Sequence, residues 1–171
     1  MDTTQKQFLT AKARQLRDDV IETIGRFGSG HIGGAMSVMD ALTVIYYAKA
    51  NVDPKNPKKF DRDRIVMSKG HAGPAMYAVL ADKGYFPKEW LKTLNQNGTN
   101  LPSHCDMNKT PGIDMTAGRS DKVFRVRSVW LLRQKRIIIP PPYIALSVTA
   151  KARKVRFGKR VCLQALTALT I

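Results

Sequence analysis

The sequence is poor in cysteine and contains no long hydrophobic run. Its two cysteines, Cys105 and Cys162, are too few for a disulfide framework or a cysteine-based zinc site. No apolar stretch approaches the ~20 residues that a membrane-spanning helix needs. Residues 1–6 show no pattern of positive charge followed by an apolar stretch, as a signal peptide would. These absences favour a cytoplasmic protein without a membrane partner.

Acidic residues become scarce after Gly118. Residues 1–118 contain 16 Lys and Arg against 12 Asp and Glu, whereas residues 119–171 contain 13 against 1. Most of the formal net charge of +16 therefore lies in the tail. The tail lacks the regular interleaving of aromatic residues that is typical of a nucleic-acid stacking platform. Nucleic acid is thus a weakly supported partner, and a basic-tailed nucleic-acid-binding protein is kept as the alternative.

The first 118 residues show the patterns of an α/β fold. Apolar spacing and turn residues predict, in chain order, a helix over 5–26, a glycine-rich loop over 28–34, a helix from Ser37, a strand over 64–68, a turn at 69–71, a helix over 71–83, a short helix over 87–94 and a long loop over 95–118. A strand, a glycine turn and a helix in this order present polar groups at the carboxyl end of the strand. No consistent period is found after Gly118.

Three histidines occur in the whole chain, and each lies in a predicted loop or turn. His31 lies among glycines, which allow a backbone to approach a ligand closely. His71 follows Lys69 and Gly70 at a helix start, a setting that suits an anion such as a diphosphate. His104 precedes Cys105 and Asp106. A histidine donates hydrogen bonds and moves protons near neutral pH, so the three suggest one shared cleft.

Each histidine also has a plainer interpretation. His31 is compatible with an incidental position in a flexible loop, and the turn at His71 with simple helix capping. Adjacent Cys and Asp side chains rarely face one centre, so a solvated loop is an adequate explanation of His104. One histidine in each of three loops, with none elsewhere in the chain, favours the shared cleft over three coincidences.

The ordered motifs resemble the N-terminal part of transketolase, in particular the separate N-terminal subunit of split transketolases. The resemblance covers essentially all of residues 1–118. The matching segments are Ser29-Gly30-His31-Ile32-Gly33-Gly34, Asp53-Pro54-Lys55-Asn56-Pro57, Asp61-Arg62-Asp63-Arg64, Ser68-Lys69-Gly70-His71-Ala72, Gly84-Tyr85-Phe86 and Pro111-Gly112-Ile113-Asp114-Met115-Thr116-Ala117-Gly118.

The resemblance implies the thiamine-diphosphate-binding fold and transfer of a two-carbon ketol unit between sugar phosphates. It assigns His71 and Gly118 to cofactor binding and His31 and His104 to the catalytic, substrate-facing side. It also implies Mg²⁺ as a second cofactor and, as partners, a homo-oligomer and a C-terminal transketolase subunit. Related thiamine enzymes, such as the xylulose-phosphate synthase family, remain open at this point.

The tail is compatible with an out-of-frame translation of the same family. The family continues after the glycine at this position with a segment like SLGQG, and later with a GDGE segment whose Asp binds the magnesium. Neither segment occurs after Gly118. Suitable codons for residues 118–135 and 147–160, read from the third base, encode SLGQGFSCAVGVALAA and GDGESEKGQVWEA. Both segments use one reading offset, which indicates loss of a base in the Gly118 codon.

The sequence therefore divides into a transketolase-like portion over 1–118 and a basic, frameshifted and disordered tail over 119–171. The fold class is α/β with an irregular C-terminal third. The metal-binding motif is missing from the chain. Because Mg²⁺ requires oxygen ligands beside the diphosphate, the chain as written lacks a ligand that the family uses for this metal. We expect a transketolase portion that is inactive as written, and an inactive pseudogene product is a further alternative.

Overall fold

The computed structural model describes residues 1–67 and 69–116 and the backbone of residues 143–146. In chain order its elements are helices α1 (Thr3–Phe27), α2 (Ile32–Met36) and α3 (Met39–Val44), a π-helical turn (Ile45–Lys49), strand β1 (Arg64–Met67), a 3-10 turn (Gly70–Ala72), helix α4 (Gly73–Lys83), a 3-10 segment (Lys88–Thr93) and strand β2 (Tyr143–Leu146). This order confirms the α/β class.

Helix α1 is the longest element, and its two ends are set by residues outside it. The Asp2 side chain accepts a hydrogen bond from the Gln5 backbone N–H at 2.6 Å and caps the first turn. Gly28 ends the helix at φ 82°, a left-handed conformation that glycine adopts without strain. The residues that α1 buries recur at helical spacing: Leu9, Ala13, Leu16, Val20 and Ile24. Phe8 and Ile21, two further apolar residues of α1, are each half exposed.

Helix α4 forms the centre of the hydrophobic core. Every residue from Gly73 to Ala81 is buried, and the helix packs against α1, α2, α3 and the 3-10 segment. Pro74 lies in the first turn, where its missing N–H has no intrahelical partner to lose. Gly84 ends the helix at φ 87°. Gly70 and Ala72 of the preceding turn are also buried, so the turn that leads into α4 packs against the core.

Two parts of the fold differ from the sequence expectation. Ile32–Met36 form a short helix inside the segment predicted as a glycine-rich loop. The described strand of the basic tail, β2, pairs with β1 in parallel, with Arg64 opposite Tyr143 and Met67 opposite Leu146. The sequence pattern predicts no regular structure for residues 143–146. The rest of the predicted disordered tail lies outside the described residues, as does Ser68 at the end of the predicted strand.

A buried ion pair attaches the loop after residue 95 to the start of β1. The Arg62 guanidinium pairs with the Asp114 carboxylate, and only 6% and 2% of the two side chains are exposed. Asp114 also accepts a hydrogen bond from the Ile65 backbone N–H at 2.8 Å. These contacts hold the loop against the start of β1 at Asp114, shortly before Gly118 in the sequence.

A second polar cluster joins four elements around Asp82 of α4. Its carboxylate accepts hydrogen bonds from Lys12 of α1 at 3.1 Å and from Tyr47 of the π-helical turn, and it pairs with Lys88 at 3.1 Å. Burial opposes ionisation, but these donors outweigh it and lower the pKa of Asp82 to about 2. The cluster contributes to the packing around α4 and lies outside the histidine loops.

Within the described ranges, no helix is both long and apolar enough to cross a membrane.

Candidate functional site

Three separate segments bring the three histidines into one cluster. His31 precedes α2, His71 lies in the 3-10 turn before α4, and His104 lies in the loop after residue 95. The ring centroids of His31 and His71 are 4.4 Å apart, and those of His71 and His104 are 5.1 Å apart. All three side chains are exposed. The three rings therefore meet at the surface from three distant segments and fill no part of the core.

Two glycines allow the loop that carries His104 to approach the turn that carries His71. A Cβ at Gly70 would clash with His104 Cδ2 and lie 3.1 Å from its Nε2. A Cβ at Gly73 would lie 2.9 Å from the Ser103 carbonyl oxygen. A side chain at Gly70 would displace the His104 ring, and a side chain at Gly73 would push the backbone of the loop away. The sequence pattern places Gly70 in a turn and Gly73 in the helix predicted over 71–83, and neither prediction includes the contact with the loop of His104.

The cluster lowers the basicity of its central histidine. The pKa of His71 lies below its ordinary value of 6.5, because neighbouring groups remove water from the ring and because His31, His104 and Lys69 disfavour a further positive charge. At neutral pH the His71 imidazole is therefore neutral, with one nitrogen as donor and the other as acceptor. A neutral ring can donate one hydrogen bond without adding a charge.

Lys69 connects the turn at His71 to helix α2. Its ammonium donates to the Gly34 carbonyl oxygen and to Ser37 Oγ, each at 2.9 Å. The sequence alone suggests a cation available to an anion. The ammonium instead bridges to residues more than thirty positions earlier. The sequence carries no local signal for such a distant contact.

Neither neighbour of His104 joins the cluster. Cys105 is buried, and burial raises the pKa of its thiol to about 12, so it remains protonated and unreactive. Asp106 accepts hydrogen bonds from the Asn108 backbone N–H at 2.9 Å and from Thr116 Oγ1 at 3.1 Å, and so stabilises its own loop. The expectation that Cys105 and Asp106 do not share a centre with His104 agrees with this geometry.

The structure leaves one of the assigned site residues undescribed. Gly118, assigned to cofactor binding, lies outside the described residues. Over residues 1–67 and 69–116, no group of three or more His, Cys, Asp or Glu side chains is arranged to hold a metal ion. The three exposed imidazoles can donate and accept hydrogen bonds and accept protons.

Comparison with known proteins places these residues in a family. The family model for the transketolase thiamine diphosphate binding domain matches residues 6–122 of the sequence. The chain is 54% identical over 110 residues to the 6-deoxy-6-sulfo-D-fructose transketolase subunit SqwG of Clostridium sp. strain MSTE9, covering 64% of this chain and 40% of that protein. It is 34% identical over 111 residues to an apulose-4-phosphate transketolase subunit from Actinobacillus succinogenes, covering 64% and 40%.

Solved structures give the same answer for the fold. The transketolase of Campylobacter jejuni superposes with a TM-score of 0.63 at 32% identity, covering 69% of this chain and 18% of that one. A Pichia stipitis transketolase in complex with sedoheptulose-7-phosphate superposes with a TM-score of 0.68 at 26% identity. This match covers 81% of this chain and 21% of the Pichia stipitis chain. The chain spans about 40% of the length of the two transketolase subunits it matches. With the family model covering most of residues 1–118, the chain belongs to the transketolase family, in its thiamine diphosphate binding domain.

Proposed function

We propose that residues 1–118 are the cofactor-binding portion of a transketolase, an enzyme that moves a two-carbon ketol unit between sugar phosphates. The observation that carries the proposal is the convergence of His31, His71 and His104 from three segments. The family match supports thiamine diphosphate as the cofactor. The Pichia stipitis transketolase in complex with sedoheptulose-7-phosphate supports a sugar phosphate as the substrate.

The residues around His71 fit a diphosphate. The turn at residues 70–72 leads directly into the N-terminus of α4, where the helix dipole favours an anion. The absence of side chains at Gly70 and Gly73 brings the backbone of this turn close to its neighbours. His71 would donate an imidazole N–H to the cofactor, and Gly118 would allow the chain to pass beside it. When bound, thiamine diphosphate supplies the carbanion chemistry of ketol transfer.

His31 and His104 take the substrate side in this proposal. Each flanks His71 and is exposed, so each can reach a sugar that approaches the cluster from solvent. Near neutral pH an imidazole can donate to a substrate oxygen or exchange a proton with it. We therefore assign to both residues the orientation of the sugar and the handling of protons at its carbonyl and hydroxyl oxygens.

A sulfonated sugar is a second substrate class that one observation favours. SqwG, named for a 6-deoxy-6-sulfo-D-fructose transketolase, is 54% identical over the matched residues, against 34% for the relative named for apulose-4-phosphate. A sulfonate and a phosphate are both anionic groups at the end of the sugar, away from the transferred carbons. Assays with both donor types separate the two classes.

Mg²⁺, the partners and the location in the cell belong to the same proposal. Mg²⁺ would come with the diphosphate through the GDGE-like segment of the restored reading frame. Two relatives are named as subunits, which supports assembly with further chains, and we propose a second copy and a C-terminal transketolase subunit as these partners. The small number of cysteines supports the cytoplasm.

We further propose that the chain as written is inactive because the shift of frame replaces both family segments after Gly118. Its two rivals have distinct signatures. Salt-dependent binding of DNA by the full chain would support the basic-tailed nucleic-acid-binding protein. Failure of the chain to accumulate as folded protein would support the inactive pseudogene product. Sequencing the DNA across the Gly118 codon tests the shift directly.

The decisive experiment replaces the histidines singly. In the frame-restored chain assembled with a C-terminal transketolase subunit, we expect His31→Ala, His71→Ala and His104→Ala each to lower ketol transfer by ~10²–10³, the cost of losing a donor to developing charge. His71→Ala should also weaken cofactor binding. Because the three side chains are exposed, each variant should melt within a few degrees of the parent.

The control is Lys58→Ala, which removes an exposed side chain from the loop between the π-helical turn and β1 and should leave activity unchanged. Activity that falls only in step with the melting temperature would mean that the histidines are structural. In that case the assignment of the site is wrong.

A further inference from the structure

Lys69 makes a closed set of contacts with the segment that follows His31. Its ammonium donates to the Gly34 carbonyl oxygen and to Ser37 Oγ, both at 2.9 Å. The Ser37 hydroxyl in turn donates to the same Gly34 oxygen at 3.1 Å. Two of the three ammonium donors are thus used on one short stretch of chain. These three hydrogen bonds, here called the Lys69 tie, join the turn of His71 to the segment that follows His31.

The tied segment has little stability of its own. Helix α2 has five residues and contains Gly33 and Gly34, which cost conformational entropy in a helix. A helix this short is far below the length at which isolated helices persist in water. Its position must come from tertiary contacts, and Ala35 is its one fully buried side chain. The Lys69 contacts hold the exposed end of the same helix.

We propose that Lys69 is a positioning residue of the histidine cluster, whose ammonium holds α2 against the turn of His71 and thereby sets the separation of the His31 and His71 rings. His31 is the residue immediately before α2, and His71 is two residues after Lys69, so the tie spans the two ring-bearing segments. The link to catalysis rests on the proposed function. The tie itself is independent of cofactor and substrate.

The Lys69 ammonium also contributes to the lowered pKa of His71. Among the described residues, the titratable groups that face His71 are His31 from the segment before α2, His104 from the loop after residue 95, and Lys69 from its own turn. The Lys69 side chain is one of the groups that disfavour protonation of the His71 ring. Removal of this charge should raise the pKa of His71.

The experiment is nuclear magnetic resonance on the full chain without cofactor. Its three histidines give three resolvable sets of ring signals. Lys69→Met keeps an unbranched side chain of similar length and removes charge and donors, while Lys69→Arg retains both. Ser37→Ala removes one acceptor only. Lys58→Met is the matched control, an exposed lysine elsewhere with the same change of charge.

The nuclear Overhauser cross-peak between the His31 and His71 rings reports their separation. We expect this cross-peak to be lost in Lys69→Met and weakened in Ser37→Ala. It should be kept in Lys69→Arg and Lys58→Met. The pKa of His71 should rise in Lys69→Met alone. An unchanged cross-peak in a folded Lys69→Met chain would overturn the proposal. If Lys69→Met does not fold, the Ser37→Ala cross-peak decides, and an unchanged intensity there overturns the proposal equally.

This result is separable from the proposed function. The ring cross-peak and the pKa of His71 are measured without thiamine diphosphate, whereas the function is tested by ketol transfer in the assembled enzyme. A lost cross-peak together with unaffected transfer would support the tie and contradict the catalytic assignment of the cluster.

Discussion

Gly70 supplies the surface on which the His104 ring rests. A methyl group there would clash with His104 Cδ2, and the helix that follows is too buried to move aside. We expect Gly70→Ala to displace the His104 ring and to lower ketol transfer in the assembled, frame-restored enzyme by about as much as His104→Ala does. The loss of stability should be modest, because an exposed ring can swing into solvent. Ketol transfer and thermal melting measured on the same sample separate the two effects.

Gly25 provides the matched control for this substitution. It lies inside α1, and an added Cβ would meet no atom within 4 Å. Gly25→Ala should therefore stabilise the chain by about 0.5–1 kcal/mol through the higher helix propensity of alanine, with activity unchanged. Activity retained in Gly70→Ala would contradict the role given to this glycine.

The lowered pKa of His71 makes stability depend on pH in a defined direction. Between that pKa and the ordinary value of 6.5, the unfolded chain binds more protons at this residue than the folded chain does. The contribution of His71 to stability is therefore fully present above pH 6.5 and falls as the pH decreases through this window. Denaturant unfolding at several pH values gives the free energy of unfolding as a function of pH. This free energy should depend less on pH in His71→Gln than in the parent. An equal dependence on pH in the two proteins would contradict the lowered pKa.

At the scale of the element, the Arg62–Asp114 pair holds the long loop on β1. Both side chains are almost fully buried, so removal of one partner leaves an uncompensated charge in the core. We expect Asp114→Asn to reduce the free energy of unfolding by about 3–5 kcal/mol. The control is Asp61→Asn, which breaks the exposed pair of Lys59 and Asp61 and should cost about 0–1 kcal/mol. Chemical denaturation of both variants gives the comparison, and equal losses would contradict the structural role of the buried pair.

The same scale shows which elements the sequence predicts well. Helices α1 and α4 and strand β1 follow from apolar spacing and from glycine and proline at their ends, which are local signals. Helix α2 escapes prediction because its glycines disfavour a helix locally and its contacts with Lys69 are distant in the chain. The exposure of Phe8 and Ile21 escapes prediction because a helical pattern alone does not determine the width of the buried face.

The candidate site divides along the same line. That each histidine lies in a loop or turn is a local property, and the sequence supports it. Their separations of 4.4 and 5.1 Å depend on Gly70 and Gly73 accepting the loop of His104 and on α4 fixing the turn of His71. These contacts join residues about thirty positions apart. Only tertiary packing reveals them, and residue spacing could suggest no more than a shared cleft.

At the scale of the whole molecule, the two parts of the chain differ in what they can bind. Residues 1–118 carry nearly balanced charge, whereas residues 119–171 carry 13 basic residues and a single acid. Mg²⁺ needs carboxylate or carbonyl oxygens beside the diphosphate, and a strongly positive segment repels it. The restored reading frame would replace this tail with a GDGE-like segment that supplies two carboxylates.

We therefore expect the frame-restored chain to bind thiamine diphosphate with Mg²⁺ much more tightly than the chain as written. Each hydrogen bond to a charged group contributes ~1.5–3 kcal/mol, so loss of even one metal-linked contact corresponds to roughly a 10–100-fold rise in Kd. Calorimetric titration of both full chains, with and without Mg²⁺, measures the difference. His71→Ala in the restored chain should lose affinity in both conditions, because the imidazole acts on the cofactor directly. Equal affinity of the two chains for the cofactor, or binding by the restored chain that is indifferent to Mg²⁺, would contradict the assignment of the missing ligand to the shifted tail.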